Sequence, residues 1–314
     1  MSVEPRAVPP SQWADLDGPV HWVDHGGPTG DPAGGEPPLV CVHGLGGSHV
    51  NWLSLAPLLT PSRRVVALDL PGFGMTQAKG RSTSVTANAA VLHRFVTEVI
   101  GCPVVLVGNS MGGLVSLIAA AAHPEAVAGL ALIDPAVPPS LTARPDPLVT
   151  ATFAVYSVPG LGAAAVAGRR KVRTAEQLAN DTLRLCCAHP ERVPPDVVAA
   201  HTAMTIARGH YPGLEQEFAE AARSVVLTIS RRAQFAAMAA SVTAPVLLLH
   251  GERDRLVRVT GARMLARRQP TWRYAEAPYV GHVPQLEVPA WTAEQLLGWL
   301  QVERPADSIP SYLV

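Results

Sequence analysis

Runs in which every position is apolar recur at residues 39–42, 65–68, 104–107, 130–133 and 246–249, and a mixed run at 272–275 keeps the same rhythm. Half-exposed strands alternate apolar with polar positions; strands apolar throughout belong to a parallel sheet covered on both faces. Helical patterns separate them. Val85, Val91, Leu92, Phe95, Val96 and Val99 share a face over 85–100, residues 114–122 are rich in Ala, and 289–300 is amphipathic. Ahead of the rhythm, apolar stretches at 13–16 and 20–23 predict a hairpin, and a Gly-Pro-Asp loop follows over 26–38.

The rhythm stops between 136 and 242. These 107 residues keep helical periodicity without clear strand–helix alternation, and strands resume at Val246. The pattern therefore predicts an α/β fold, a mostly parallel central sheet flanked by helices. Residues 1–135 and 243–314 form the core, and 136–242 are inserted as a helical cap. No internal repeat interrupts this reading.

Composition adds exclusions. Hydrophobic residues are 48% of the 314 and charged ones 16%, which excludes disorder for the bulk of the chain. Acidic and basic residues balance at 25 each, so no basic field points to nucleic acid. The four Cys, two of them adjacent at Cys186 and Cys187, do not make a disulfide framework in a chain this long. Residues 1–18 carry Pro and Asp where a signal peptide needs an apolar run, so a soluble, cytoplasmic protein is expected. Residues 148–168 hold no charge over about a bilayer-spanning length, but Pro159, Gly160 and Gly162 interrupt them. They predict two short lid-lining helices and no integral membrane segment, with transient association at a lipid surface left open.

The strongest chemical signal is Gly108-Asn109-Ser110-Met111-Gly112, directly after the strand 104–107 and directly before a helix. This is G-x-S-x-G in the strand–turn–helix context that projects a Ser hydroxyl above a sheet. Side chains two residues either side of the Ser would collide across so tight a bend, hence Gly108 and Gly112. The new helix leaves the Met111 N–H free to donate to an anion.

A Ser hydroxyl needs a base. The acid and then the His follow the Ser along the chain in this arrangement, and of 11 His only His282 lies downstream of His250. Asp254, after the strand 246–249 and the turn Gly251-Glu252-Arg253, is the expected acid; Asp134, at the end of 130–133, is its rival. A second oxyanion donor should come from the loop after the first parallel strand, His43-Gly44-Leu45-Gly46-Gly47, with Leu45 N–H the first choice and Gly46 the second. His43 reads as a loop anchor.

On these segments, His43–Trp52 (HGLGGSHVNW), Asp69–Gly74 (DLPGFG), Gly108–Gly113 (GNSMGG), His250–Val257 (HGERDRLV) and Gly281–Glu287 (GHVPQLE), the chain resembles the α/β-hydrolase fold superfamily. The likeness is to its lidded branch of serine esterases, lipases and C–C bond hydrolases. It covers about residues 20–300 except the helical insertion. The resemblance implies a catalytic triad Ser110–Asp254–His282 and a cap over the pocket, and names no substrate. Relatives that are haloalkane dehalogenases or epoxide hydrolases carry Asp at the elbow, and Ser110 excludes them.

No phosphate-binding G-x-x-x-x-G-K-[ST], H-E-x-x-H or C-x-x-C occurs, and Gly160–Ala165 mimics G-x-G-x-x-A but is preceded by Pro159, with no second strand to deliver Asp181. No cofactor and no metal are expected. The sequence predicts a carboxylic ester hydrolase whose partner is a small lipophilic ester, with Phe153, Tyr156, Leu161 and Val283 lining the substrate site. The alternative is a C–C bond hydrolase of a dienoic diketo acid. Val283 speaks against it, since such enzymes place a Trp there; they also use a cap Arg, and Arg169, Arg170, Arg173, Arg184 and Arg208 are not separable by sequence. A non-catalytic receptor of the same fold is a third reading.

Overall fold

A computed structural model describes residues 8–28, 35–140 and 146–302, so the middle of the loop expected over 26–38 lies outside the described residues. Ser11–Asp15 (β1) and Pro19–Gly26 (β2) form the hairpin, turning through Asp17 and Gly18, both at positive φ. Six parallel strands follow: Leu39–Val42 (β3), Val65–Leu68 (β4), Val104–Asn109 (β5), Val127–Ile133 (β6), Val246–Gly251 (β7) and Arg273–Ala277 (β8). The sheet order is β1-β2-β4-β3-β5-β6-β7-β8, and β2 runs antiparallel against β4, which carries the hairpin onto the sheet edge.

The all-apolar runs have a direct cause. Side chains alternate between the two faces of a strand. Val40, Val42, Val66, Leu68, Leu106 and Leu132 enter one buried layer; Leu39, Cys41, Val65, Ala67, Val105 and Val107 enter the other. Each face has its own helical cover. Ala56–Leu59 (α1) and Pro289–Val302 (α12) supply Leu59 and Trp299 to the second layer, while Val85–Arg94 (α2) and Met111–Ala122 (α3) supply Leu92 and Leu114 to the first. The helix expected over 85–100 is α2 followed by a π-helical turn, Phe95–Ile100, which Gly101 ends at φ 77°.

Between β6 and β7 lie Pro147–Ser157 (α4), Leu161–Val172 (α5), Ala175–Cys186 (α6), Pro195–Arg208 (α7), Leu214–Ser230 (α8) and Arg232–Ser241 (α9). Of these, α9 belongs with the sheet layers: it packs on α3 and buries Phe235 and Ala239 in the first core layer. Val259–Arg268 (α10) and the single turn Pro284–Glu287 (α11) complete the chain. The uncharged stretch is broken as expected, α4 and α5 meeting at 113°, and among the described residues no single helix is long and apolar enough to cross a membrane.

Candidate active site

Ser110 stands between β5 and α3 with φ 56° and ψ −120°, a backbone conformation L-residues adopt only when their surroundings impose it. The surroundings are backbone. A Cβ on Gly112 would stand 2.1 Å from the Val42 carbonyl oxygen, and one on Gly108 would stand 2.5 Å from that of Gly112. The Ser110 N–H donates to Ile133 O (3.1 Å), and its carbonyl accepts from Leu114 N (3.2 Å) and Ala136 N (3.0 Å). The β3 loop closes on the same point, since a Cβ on Gly44 would sit 3.0 Å from Ser110 Cβ. Of the expected oxyanion donors, Leu45 follows Gly44 in that loop and Met111 follows Ser110 at the start of α3.

His282 follows β8 in the loop before α11, and its Nδ1 lies 2.7 Å from Asp254 Oδ2. Asp254 Oδ1 also accepts from Leu256 N (2.8 Å) and Val257 N (2.9 Å). Burial alone would raise the Asp254 pKa, but attraction to His282 and hydrogen bonds from His250 and His282 reverse the sign and hold it below the usual carboxylate range. At this distance an ionised Asp254 is placed to accept an Nδ1–H from His282.

The rival acid sits in the same buried cluster. Asp134 Oδ1 accepts from Gly251 N (2.9 Å), while its Oδ2 meets no partner among the described residues. His250 Nε2 lies 3.5 Å from Asp134 and 3.4 Å from Asp254, and donates to Val257 O at 2.7 Å. Burial, with the Asp254 charge beside it, pushes the Asp134 carboxyl well above its ordinary value. Of the two acids, the structure brings Asp254 to His282.

Other polar groups serve the frame. His43 Nδ1 bonds Gly44 O (2.8 Å), its Nε2 accepts from Leu70 N (3.1 Å), and burial lowers its pKa to about 4, so it holds the loop as a neutral ring. Asp69 accepts from His21 Nδ1, His49 Nδ1, His49 N and Met75 N. His21, His49 and Asp69, and likewise Asp134, His250 and Asp254, bring ligand-type atoms within 4.8 Å of one another. In the first group four N–H donors already occupy the carboxylate; in the second, His250 Nε2 points its proton at a carbonyl and offers no lone pair.

Phe153 and Tyr156 lie in a chain of edge-to-face rings, 6.3 Å apart, with Phe218 of α8 5.2 Å beyond Tyr156. Phe218 reaches the loop after β3, 3.1 Å from where a Gly46 Cβ would stand. The other two expected lining positions differ in burial. Leu161, just past the bend between α4 and α5, is 52% exposed. Val283 is a packing residue, buried with Leu183, Val197 and Leu286. A groove of about 520 Å³ runs between α4, α5 and α8, lined by Tyr156, Ala163, Ala167 and Arg223, and includes none of Ser110, Asp254 or His282.

Sequence reasoning missed Phe218 and Asn109 and left Arg208 unranked. Phe218 carried no signal beyond helical spacing. Arg208, among the five Arg that the sequence could not separate, reaches the core: its Nη2 donates to Gly72 O at 2.7 Å, its guanidinium lies 5.6 Å from the Phe73 ring, and burial lowers its pKa to about 10. Asn109, the variable position of the Ser motif, donates through Nδ2 to Ile133 O (3.0 Å) and His282 O (3.1 Å), tying the Ser strand to the His loop.

The alpha/beta hydrolase fold family matches residues 37–289. A pimeloyl-[acyl-carrier protein] methyl ester esterase from Aromatoleum aromaticum is 32% identical over 257 residues, 81% of this chain and 94% of that protein. The human monoacylglycerol lipase ABHD6 is 26% identical over 85% of this chain and 76% of its own length. The chain spans only 32% of another relative, the dihydrolipoyllysine-residue acetyltransferase component of the acetoin cleaving system of Pseudomonas putida, at 37% identity over 126 residues. The crystal structure of a putative lipase from Acinetobacter baumannii AYE superposes with a TM-score of 0.72 at 24% identity, covering 93% of this chain and 91% of that one, and so shares the fold. The chain belongs to the alpha/beta hydrolase fold family, and it is an enzyme of that family's hydrolase type.

Proposed function

We propose that the protein is a serine hydrolase that cleaves a lipophilic carboxylic ester through an acyl-enzyme intermediate. One observation carries the reading: His282 Nδ1 lies 2.7 Å from a buried Asp254 charge, on a loop tied by Asn109 to the strand that ends at the strained Ser110. In the proposed sequence His282 Nε2 takes the Ser110 proton as Oγ attacks the ester carbonyl, and the N–H groups of Leu45 and Met111 receive the oxyanion. The protonated His282 then passes that proton to the leaving alcohol. Water, deprotonated by the same ring, hydrolyses the acyl-Ser110.

The helical insertion acts in this reading as a cap. Phe153, Tyr156 and Phe218 form an aromatic wall that ends over the oxyanion loop, and each acyl methylene buried there contributes about 0.8 kcal/mol. The named activities of the esterase and lipase relatives support an ester with an acyl chain. Arg208 favours one further reading, cleavage of a C–C bond in a dienoic diketo acid, since it sets a buried cation beside the core loops. A p-nitrophenyl ester series from acetate to palmitate, run beside a dienoic diketo acid, separates them. The ester reading expects kcat/KM to rise from acetate to medium chains with the diketo acid turned over slowly. A flat ester profile with fast diketo-acid cleavage would reverse the choice.

A further inference from the structure

His282 is held on both sides by the insertion. Its own N–H donates to Cys186 O, at the end of α6, at 2.6 Å. Gly281 before it leaves no room for a side chain: a Cβ would stand 2.3 Å from Cys186 O and 2.6 Å from Ala188 N. The residue that joins the two segments is Glu287, whose side chain is 0% exposed. Its Oε2 accepts from Gly281 N (3.0 Å) and Ala188 N (3.0 Å), and its Oε1 accepts from His189 N (3.1 Å). Without it three N–H groups in this seam would lose their acceptor, which a buried donor tolerates poorly. Arg192 stands 3.9 Å from the carboxylate, on the outer side.

Apolar packing reinforces the same joint. Val283 and Leu286 of the His282 segment, with Val50 and Leu53 of the core, bury against Leu183, Cys187, Val193 and Val197 of the α6–α7 region. A Gln at position 287 would keep the shape but replace one acceptor oxygen with a donor facing N–H groups.

We infer that Glu287 is a positioning residue for the proposed base: it clamps the Gly281–His282 backbone to the linker between α6 and α7, making that half of the insertion part of the mounting of His282. The inference rests on the triad reading above. Glu287 touches no reacting atom and acts only through where it holds the ring.

The test is Glu287→Gln with p-nitrophenyl butyrate, with Arg192→Ala as the control. A misplaced base lowers turnover and leaves binding alone, so kcat should fall roughly tenfold to a hundredfold with KM within about threefold of wild type. The downfield imidazole Nδ1–H proton resonance of the His282–Asp254 hydrogen bond should broaden or vanish, a change that a loss of stability alone does not produce in folded protein. Arg192→Ala should keep both. Hydrogen exchange on the wild-type protein asks the same question without a substitution: residues 186–193 and 279–287 should exchange together and more slowly than α4 and α5. A folded Glu287→Gln enzyme with wild-type kcat and an unchanged resonance overturns the clamp, as does exchange at 186–193 as fast as in α4 and α5. Should Ser110→Ala stay active, the triad reading fails first. Should Ser110→Ala be dead while Glu287→Gln is fully active, this inference alone fails.

Discussion

The two helical pairs of the insertion, α4–α5 and α6–α7, invert the usual relation between hydrophobicity and burial. The α4–α5 pair carries no charge from Leu148 to Gly168, yet Leu148, Val158 and Leu161 are 64%, 47% and 52% exposed. The α6–α7 pair is more polar by sequence, yet Leu183, Cys187, Val193 and Val197 are buried against the core, and backbone hydrogen bonds fasten its linker to Glu287 and His282. Burying a side chain such as Leu183 contributes about 1.5–3 kcal/mol. The polar pair is therefore the anchored one. The apolar pair instead leaves Leu148, Val158 and Leu161 at the surface.

The sharpest way to break this comparison acts where the anchored pair leads, at His282. Asp254→Asn should lower kcat on the order of 10⁴-fold, as in other triads whose acid becomes an amide. Asp134→Asn should cost no more than a few-fold, because burial and the neighbouring Asp254 push its carboxyl pKa up, towards the neutral form whose shape an amide keeps. Kinetics of the two variants with p-nitrophenyl butyrate check the ranking, and the reverse order would move the acid to Asp134.

Next in size is a pair of truncations, one in each half. Leu183→Ala opens a cavity in the anchored joint and should cost about 2–4 kcal/mol in urea unfolding, with a fall in kcat. Leu161→Ala removes an exposed side chain and should stay within about 0.5 kcal/mol. Equal losses at the two sites would erase the distinction between the pairs.

Acid should also separate them. His201 of α7 and His43 of the core are both held down to about 4 by burial, whereas an unfolded His titrates near ~6.5. The unfolded chain thus binds more protons between those values, so their contribution is complete above the unfolded value and is lost as pH falls towards 4. The melting temperature should drop by several degrees over that window. Hydrogen exchange at about pH 5 should quicken in α7 more than in α4 and α5, which contain no His. Acceleration confined to α4–α5 would contradict the assignment.

The smallest effect concerns the exposed apolar surface. Leu148→Ser with Leu161→Ser should leave soluble short-chain ester hydrolysis unchanged and reduce hydrolysis of an emulsified long-chain ester by roughly two- to threefold, about the value of one buried methylene or less. Unchanged emulsion activity would deny that surface a role in substrate capture.

Much of this was legible in the residues because it is local. The strand runs announce burial on both faces, and Gly108 and Gly112 follow from the steric demands of a single turn. Once Ser110 stands in its context, chain order singles out His282 but leaves both Asp254 and Asp134 as acids, and only the fold brings Asp254 to the ring. What stayed hidden depends on contacts far along the chain. Asn109 is a free position in its motif until its Nδ2 is seen on the His282 carbonyl, 173 residues away. Glu287 has no local reason to differ from any Glu at the end of a helical turn, since two of its donors come from Ala188 and His189. The stretch 148–168 reads as pocket wall from hydrophobicity, while its 113° bend and the 52% exposure of Leu161 appear only in three dimensions.

The central claim, that Ser110 is the nucleophile mounted opposite His282, meets its most direct test in active-site labelling. The wild-type protein is treated with a fluorophosphonate while p-nitrophenyl butyrate hydrolysis is followed, and the adduct is located by peptide mass spectrometry. The account predicts one adduct, on Ser110, with activity lost in proportion to labelling, and neither labelling nor turnover in a Ser110→Ala protein that melts as wild type does. An adduct on another residue, or hydrolysis that survives in Ser110→Ala, would contradict it.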